Sequence, residues 1–193
     1  MTLDDASRDR LGALPTANIG DAMERLFVME APIKSVWPGA RMVGPAFCVL
    51  TAPGDNKAIH SAIDEAAAGD VIVVAAGGYA DRALIGELMA GRAAARGLAG
   101  MVIDGAVRDA QDIGAMRFPV FARGITPAGP YRNGPGRQQI PVAIGGVAVC
   151  PGDVVVGDDD GVVVIRRQEL DAVLARAEAK HAAEATQRAE IGV

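Results

Sequence analysis

Apolar and polar positions fall into a few strong patterns along the chain, and each predicts an element. Asp70 to Ala76, DVIVVAA, is a continuous β-branched run entered from Ala68-Gly69 and left through Gly77-Gly78, as a strand covered on both faces reads. Residues 39 to 52 hold a second strand whose alternation is blurred for the same reason. Pro53-Gly54-Asp55 is turn chemistry, and Asn56 to Ala67 then reads as a helix carrying Lys57, His60 and Glu65. Residues 15 to 29 read as a helix entered through Thr16 or Asn18, with Ile19, Ala22, Met23 and Leu26 as its apolar stripe. Glu87 to Arg96 is an alanine-rich helix stopped by Gly97, which takes the left-handed conformation that closes helices. Met101 to Asp104 is a short apolar strand, after which the chain turns at Gly105.

The second half is read the same way. Ala110 to Met116 predicts a short helix and Phe118 to Arg123 a strand, with proline near its beginning. Thr126 to Gln139, rich in Pro, Gly and basic residues, has no apolar period and predicts a long loop. Its Tyr131, Arg132 and Arg137 are candidates for meeting substrate carboxylates or for surface and subunit contacts. Residues 141 to 165 show three strand-like pieces separated by Gly145-Gly146, Pro151-Gly152-Asp153 and Asp158 to Gly161, a pattern of tight antiparallel hairpins. The Asp158-Asp159-Asp160 run lacks the spaced ligands of a calcium loop and reads as a turn. Gln168 to Ile191 predicts a helix with Leu170, Val173, Leu174 and Ala177 on one face. Its charged second half has little to bury and so leans on a neighbouring subunit or frays.

Composition narrows the class. A chain of 193 residues, half of them apolar, suits one domain over residues 1 to 193 with a sizeable core. No apolar run is long enough to span a membrane, and the acidic start MTLDDASRDR is unlike a signal peptide, so a cytoplasmic protein is expected. Cys48 and Cys150 sit in apolar contexts and read as free thiols. A net charge of −5 and seven aromatic residues disfavour a nucleic-acid partner.

The chemistry concentrates in GELMAGRAAARGLAGMVIDGAVRD, Gly86 to Asp109. A helix start offers N–H groups and a partial positive charge to an anion, and ligands of α/β folds collect beyond strand ends, where Arg108 and Asp109 are expected. The strand, Gly77-Gly78 turn and following helix lack the glycine spacing of a dinucleotide site, so those glycines either turn the chain or let the loop approach a small ligand. His60 reads as a surface or packing residue, with a place near the cleft as the second reading; it and His181 form no cluster for a zinc site. Lysines are only Lys34, Lys57 and Lys180, none in a setting that would depress its pKa for Schiff-base chemistry.

Glu87, twenty intervening residues, then Arg108-Asp109, set between the helix-opening Gly86 and the VIDGAVRD turn, closely resemble the class II, metal-dependent pyruvate aldolases of the 4-hydroxy-4-methyl-2-oxoglutarate aldolase group. These share their fold with the regulator of ribonuclease E activity. The resemblance runs from Asp21 to Val164 and includes the Asp21-Ala22 pair, the PGDN turn, PVFARG and the hairpin at 151 to 161. One departure is Glu87, where several aldolases have Asp.

The resemblance implies an α/β fold, a three-layer β/β/α sandwich of the swivelling-domain type with mixed sheets, in which the hairpins at 141 to 165 complete a sheet begun at 43 to 50, 70 to 76 and 101 to 104. It implies cleavage of a 4-hydroxy-2-oxo acid to pyruvate, with oxaloacetate decarboxylation through the same enolate. Asp109 is then the metal ligand for Mg2+ or Mn2+, with Glu87 acting through water. Arg108 and Glu87 carry the catalysis, and Gly86, Leu88, Met89 and Arg108 bind the small 2-oxo acid. A homotrimer or homohexamer is implied, in which Glu184 or Glu190 of the C-terminal helix lends an acid to a neighbour. The alternative is a non-catalytic binding protein like the ribonuclease regulator, which tends to lack the acid at position 87. A methyltransferase reading, attached to some relatives, finds no glycine-rich cofactor loop here.

Overall fold

A computed structural model describes residues 3 to 192. In chain order the elements are α1 (Asp5–Gly12), α2 (Thr16–Ala22), β1 (Lys34–Ser35), β2 (Met42–Thr51), α3 (Lys57–Glu65), β3 (Val71–Ala75), β4 (Ala83–Ile85), α4 (Glu87–Ala95) and β5 (Gly100–Val107). They continue with α5 (Ala110–Ala115), β6 (Val120–Ile125), β7 (Gly136–Gln138), β8 (Val142–Ile144), β9 (Val147–Val149), β10 (Val154–Asp158), β11 (Gly161–Ile165) and α6 (Leu170–Ile191). The main sheet has the order β1-β6-β5-β3-β2-β10-β11, with β4 added to β5 and β7 to β2. Its centre, β2, β3, β5 and β6, is parallel, while β1, β7 and the β10–β11 hairpin join antiparallel.

The long strand β2 organises the layers because its two faces and two edges are all used. Phe47 and Val49 point to one face, with Ile72, Val74, Met101 and Ile103, and are covered by α3 and α4. Ala46 and Cys48 point to the other, with Val71, Val73, Val102 and Phe121, and meet the β8–β9 hairpin together with Val155, Val162 and Val164. The outer face of β10 and β11, Val154, Val156, Val163 and Ile165, is sealed by Ile19 of α2 and Leu170, Val173, Leu174 and Ala177 of α6. Apolar positions on both faces of each central strand explain the unbroken hydrophobic runs in the sequence. The result is the mixed-sheet α/β sandwich that the resemblance implied.

Several local expectations change. The helix expected over 15 to 29 ends at Ala22 with Met23 as its cap, and Glu24 and Arg25 take positive φ values of 57° and 65°. The N–H of Arg25 reaches back to the Gly20 carbonyl at 2.9 Å, a helix-closing bond. The chain is turned because Phe27 to Met29 run along β11: Met29 N–H donates to Val162 O and Val164 N–H to Phe27 O. Leu26 is thereby 70% exposed instead of completing the stripe.

The turn expected at Gly105 is a β-bulge. Ile103 pairs with Ala122 and Ala106 with Gly124, so β5 spends one extra residue against β6 and runs on to Val107. The loop at 126 to 139 contains β7, which lies along the end of β2. Residues 141 to 165 form four strands, not three, and only β10–β11 joins the main sheet; β8–β9 is a separate two-stranded ribbon. Neither α1, β1 nor β4 was anticipated. Cys48 and Cys150 are free, with burial pushing the Cys48 thiol up to about 12, so it stays an inert core group. Among the described residues no helix is long and apolar enough to cross a membrane.

Candidate functional site

Strand β4 is short but decides where the site lies. It pairs parallel with the end of β5, Ala83 with Ala106 and Ile85 with Val107, and the Arg108 N–H donates to Ile85 O at 3.0 Å. Both strands therefore end side by side. From one emerges Gly86 and helix α4; from the other, Arg108, Asp109 and helix α5.

Asp109 sits in the left-handed region, φ 57° and ψ 39°, which a short polar side chain tolerates better than a bulky one. Its carboxylate does not cap α5. Oδ2 instead accepts the Glu87 N–H at 3.2 Å and lies 3.4 Å from Arg108 Nε. The carboxylate is thus held at the positive end of α4 beside a guanidinium. Gly86 makes this possible by close approach: a Cβ there would lie under 3.0 Å from Asp109 Oδ2 and 3.0 Å from Arg108 Cγ and Nε. The N–H groups of Leu88 and Met89 belong to the first turn of α4, where the helix offers no acceptor of its own.

These residues line one cleft of about 220 Å3, together with Asn56, His60, Arg92, Pro130 and Arg132. All six residues expected at the site, Gly86, Glu87, Leu88, Met89, Arg108 and Asp109, are brought together there. Leu88 is an exposed rim residue and the Met89 side chain packs into the core, so only their backbone faces an anion. The Arg108 and Asp109 side chains are 41% and 34% exposed, open enough to meet a ligand.

Asn56 and Arg92 were not anticipated. Asn56 ends the PGDN turn, is buried and donates through Nδ2 to Leu84 O at 3.0 Å, while its Oδ1 has no hydrogen-bond partner among the described residues. Arg92 follows Leu88 by one helical turn on the same face, a spacing readable in the sequence only after the helix start is known to be the site. His60, expected first as a surface or packing residue, lines the cleft with Nδ1 3.0 Å from Arg92 Nη1. Burial, and then the charges of Arg92 and Arg132, hold its pKa below the ordinary imidazole value.

Of the three loop candidates, only Arg132 reaches the cleft. Tyr131 accepts from Arg82 Nη2 at 3.0 Å under a cation–π contact of 4.2 Å, and Arg137 lies exposed on β7. The loop is pinned by Asp55, whose carboxylate accepts the N–H groups of Lys57 at 2.9 Å, Asn133 at 2.9 Å and Gly134 at 2.7 Å. Glu184 is engaged within its own chain, accepting from Asn18 Nδ2 at 2.8 Å and pairing with Lys180 at 3.3 Å. Glu190 is exposed.

Among the described residues no group of three or more His, Cys, Asp or Glu side chains converges. The carboxylates at the cleft are Asp109 and Glu87, and Asn56 adds an amide oxygen. Such a sparse, all-oxygen set fits a hard ion that keeps several waters or takes ligand oxygens, and does not fit a closed zinc site.

Comparison with known proteins shows which family the chain resembles. The chain is 43% identical over 169 residues to a Halalkalibacterium halodurans protein named "Putative 4-hydroxy-4-methyl-2-oxoglutarate aldolase", covering 88% of this chain and 80% of that one. Its fold matches RraAS2 of Streptomyces coelicolor, an unusual member of the RNase ES inhibitor RraA protein family, with TM-score 0.87 and 28% identity over 97% of this chain and 98% of the other. It also matches the RNA-processing inhibitor RraA from Thermus thermophilis, with TM-score 0.71 and 30% identity over 78% and 92% of the two chains. The RraA-like model, described as Aldolase/RraA, fits residues 16–164, and the chain belongs to that family.

Proposed function

We propose that the protein is a divalent-metal-dependent carbon–carbon lyase. It cleaves a 4-hydroxy-2-oxo acid of the 4-hydroxy-4-methyl-2-oxoglutarate type to pyruvate, and decarboxylates oxaloacetate through the same pyruvate enolate. The observation that carries this is the meeting of Arg108 and Asp109 with the N-terminus of α4 across Gly86.

The roles follow from position. The N–H groups of Leu88 and Met89 receive the carboxylate next to the 2-oxo group. Arg108, still half open, presents its guanidinium to the 2-oxo oxygen and stabilises the negative charge that grows there as the bond between C3 and C4 breaks. The proton leaving the 4-hydroxyl goes to a base, and the enolate takes a proton at C3 to become pyruvate. Glu87 lines the cleft and is the acid placed to handle those protons. Asp109, with Glu87 behind it through water, would hold Mg2+ or Mn2+, which supplies a Lewis acid for the 2-oxo group. A homotrimer or homohexamer belongs to the same reading, supported by the exposed Leu26 and Val28 beside β11.

The test is pyruvate release from 4-hydroxy-4-methyl-2-oxoglutarate by chelator-treated protein, with Mg2+ or Mn2+ restored. Activity that returns with the ion supports the reading; none under either ion contradicts it. The second reading, a non-catalytic regulator, draws support from the structural neighbours, one named an RNA-processing inhibitor and one an unusual member of the RNase ES inhibitor RraA protein family.

A further inference from the structure

Arg108 is a long side chain that its own ion pair does not fix. Nε stands 3.4 Å from Asp109 Oδ2, and the Arg108 side chain is 41% exposed. An ion pair this open is worth less than the rotamer freedom an arginine gives up when it is held. Confinement therefore needs walls, and two glycines supply them. A Cβ at Gly86 would lie 3.0 Å from Arg108 Cγ and Nε, and a Cβ at Gly129 would lie 3.5 Å from Nη1, so the side chain runs from one backbone to the other.

Gly129 belongs to a strap that is pinned on either side of it. The Ala83 N–H donates to Ala128 O at 2.8 Å, and the Tyr131 N–H to Gly54 O at 2.8 Å. Between these two points, Gly129 and Pro130 have one hydrogen bond among the described residues, from Arg82 Nη1 to Gly129 O at 2.9 Å. Arg82 Nη2 donates to the Tyr131 hydroxyl at 3.0 Å, and the guanidinium lies 4.2 Å from the centre of that ring. Among the described residues Arg82 pairs with no carboxylate, so its donors serve the strap. Its backbone immediately precedes β4, which pairs with β5 as far as Val107 and takes the Arg108 N–H on Ile85 O. Arg82 and Arg108 thus hang from one pair of bonded strands.

We infer that Arg82, which lies outside the cleft lining, is a positioning residue for Arg108: by holding Gly129 in place it confines the guanidinium between Asp109 and the strap. For the chemical step this rests on the aldolase reading, in which that guanidinium meets the growing negative charge. Arg82 touches no reacting atom, and its effect passes through Gly129. An arginine suits the task because its planar fork serves a carbonyl and a hydroxyl at once.

The test joins two measurements on the full chain: steady-state pyruvate release from oxaloacetate with Mg2+, and the Nε–H magnetic resonance of Arg108, identified by its absence in Arg108→Ala. Arg82→Leu keeps an apolar stem over Tyr131 and removes every donor. The other bonds of the strap remain, so folding is expected, and a thermal melt checks it. In this variant kcat should fall about 10-fold with KM changed less than about twofold, as displacement of a reacting group costs, and the Arg108 resonance should shift or broaden. Arg82→Lys, which can still reach Gly129 O, should recover most of both. A lowered melting temperature with kcat and the resonance unchanged would leave Arg82 a merely structural role and overturn the inference, as would a resonance that does not move. A resonance that moves in Arg82→Leu, in a protein that releases no pyruvate, upholds the positioning and overturns the aldolase reading alone. Wild-type turnover that Arg82→Leu leaves intact overturns the positioning alone.

Discussion

Asp109 accepts the Glu87 N–H at 3.2 Å, and the room its carboxylate needs exists because residue 86 has no Cβ. This contact joins the start of α4 to the end of β5, beside the Arg108 N–H bond to Ile85 O. Gly86→Ala should displace the Asp109 carboxylate and the Arg108 side chain. Gly86 has extended backbone, φ −138°, which alanine adopts readily, so folding is expected to survive. Pyruvate release should fall about 100-fold in kcat/KM, as ångström-scale misplacement of reacting groups costs. Steady-state kinetics beside a thermal melt separate the two effects.

In the proposed reaction Glu87 handles protons and does not bind the substrate. Glu87→Gln keeps its shape and removes the base. The expected result is a fall in kcat of about 100-fold with KM changed little, since general-base contributions are of that order. A rise in KM at constant kcat would move Glu87 to a binding role.

Asp55 ties the loop bearing Arg132 to the PGDN turn. Burial works against its ionisation, but the N–H donors of Lys57, Gly134 and Asn133 hold its carboxyl below the ordinary value of 3.8. Because the folded value lies below the unfolded one, this stabilisation is complete above about pH 4 and is lost as pH falls through the folded value. Asp55→Ala should cost roughly 2–3 kcal/mol at neutral pH, and the gap from wild type should narrow as pH falls below about 4. Denaturant midpoints measured across that range check it; a gap independent of pH would contradict the assignment.

How far the sequence reports the molecule depends on the range of the interaction involved. DVIVVAA announced a buried strand because both faces of β3 are covered, and Gly97 announced the end of α4 through its positive φ of 73°. Asp109, Arg108, Glu87 and Gly86 were legible as a group because the spacing between them carries a family resemblance. Strand β4 was not, since three residues give no period; it exists by pairing with β5. Helix α1 buries only Ser7 and Leu11 and is started by Asp4, whose Oδ1 accepts the Ser7 N–H at 2.8 Å, a local signal with no apolar stripe behind it. Asn56, His60 and Arg92 join the cleft because sheet order sets α3 beside α4, a contact between distant segments that no local pattern encodes. The bulge at Gly105 is likewise a matter of register against β6.

The most direct test of the central claim is pyruvate formation from oxaloacetate by the purified protein, with and without Mg2+ or Mn2+, beside Arg108→Ala. Turnover is expected to require the ion and to fall by about 100- to 1,000-fold in the variant, the loss typical of removing one charge-stabilising donor. Turnover no faster than the free ion alone, or turnover unaffected by Arg108→Ala, would contradict the assignment of this cleft as an enolate-forming site.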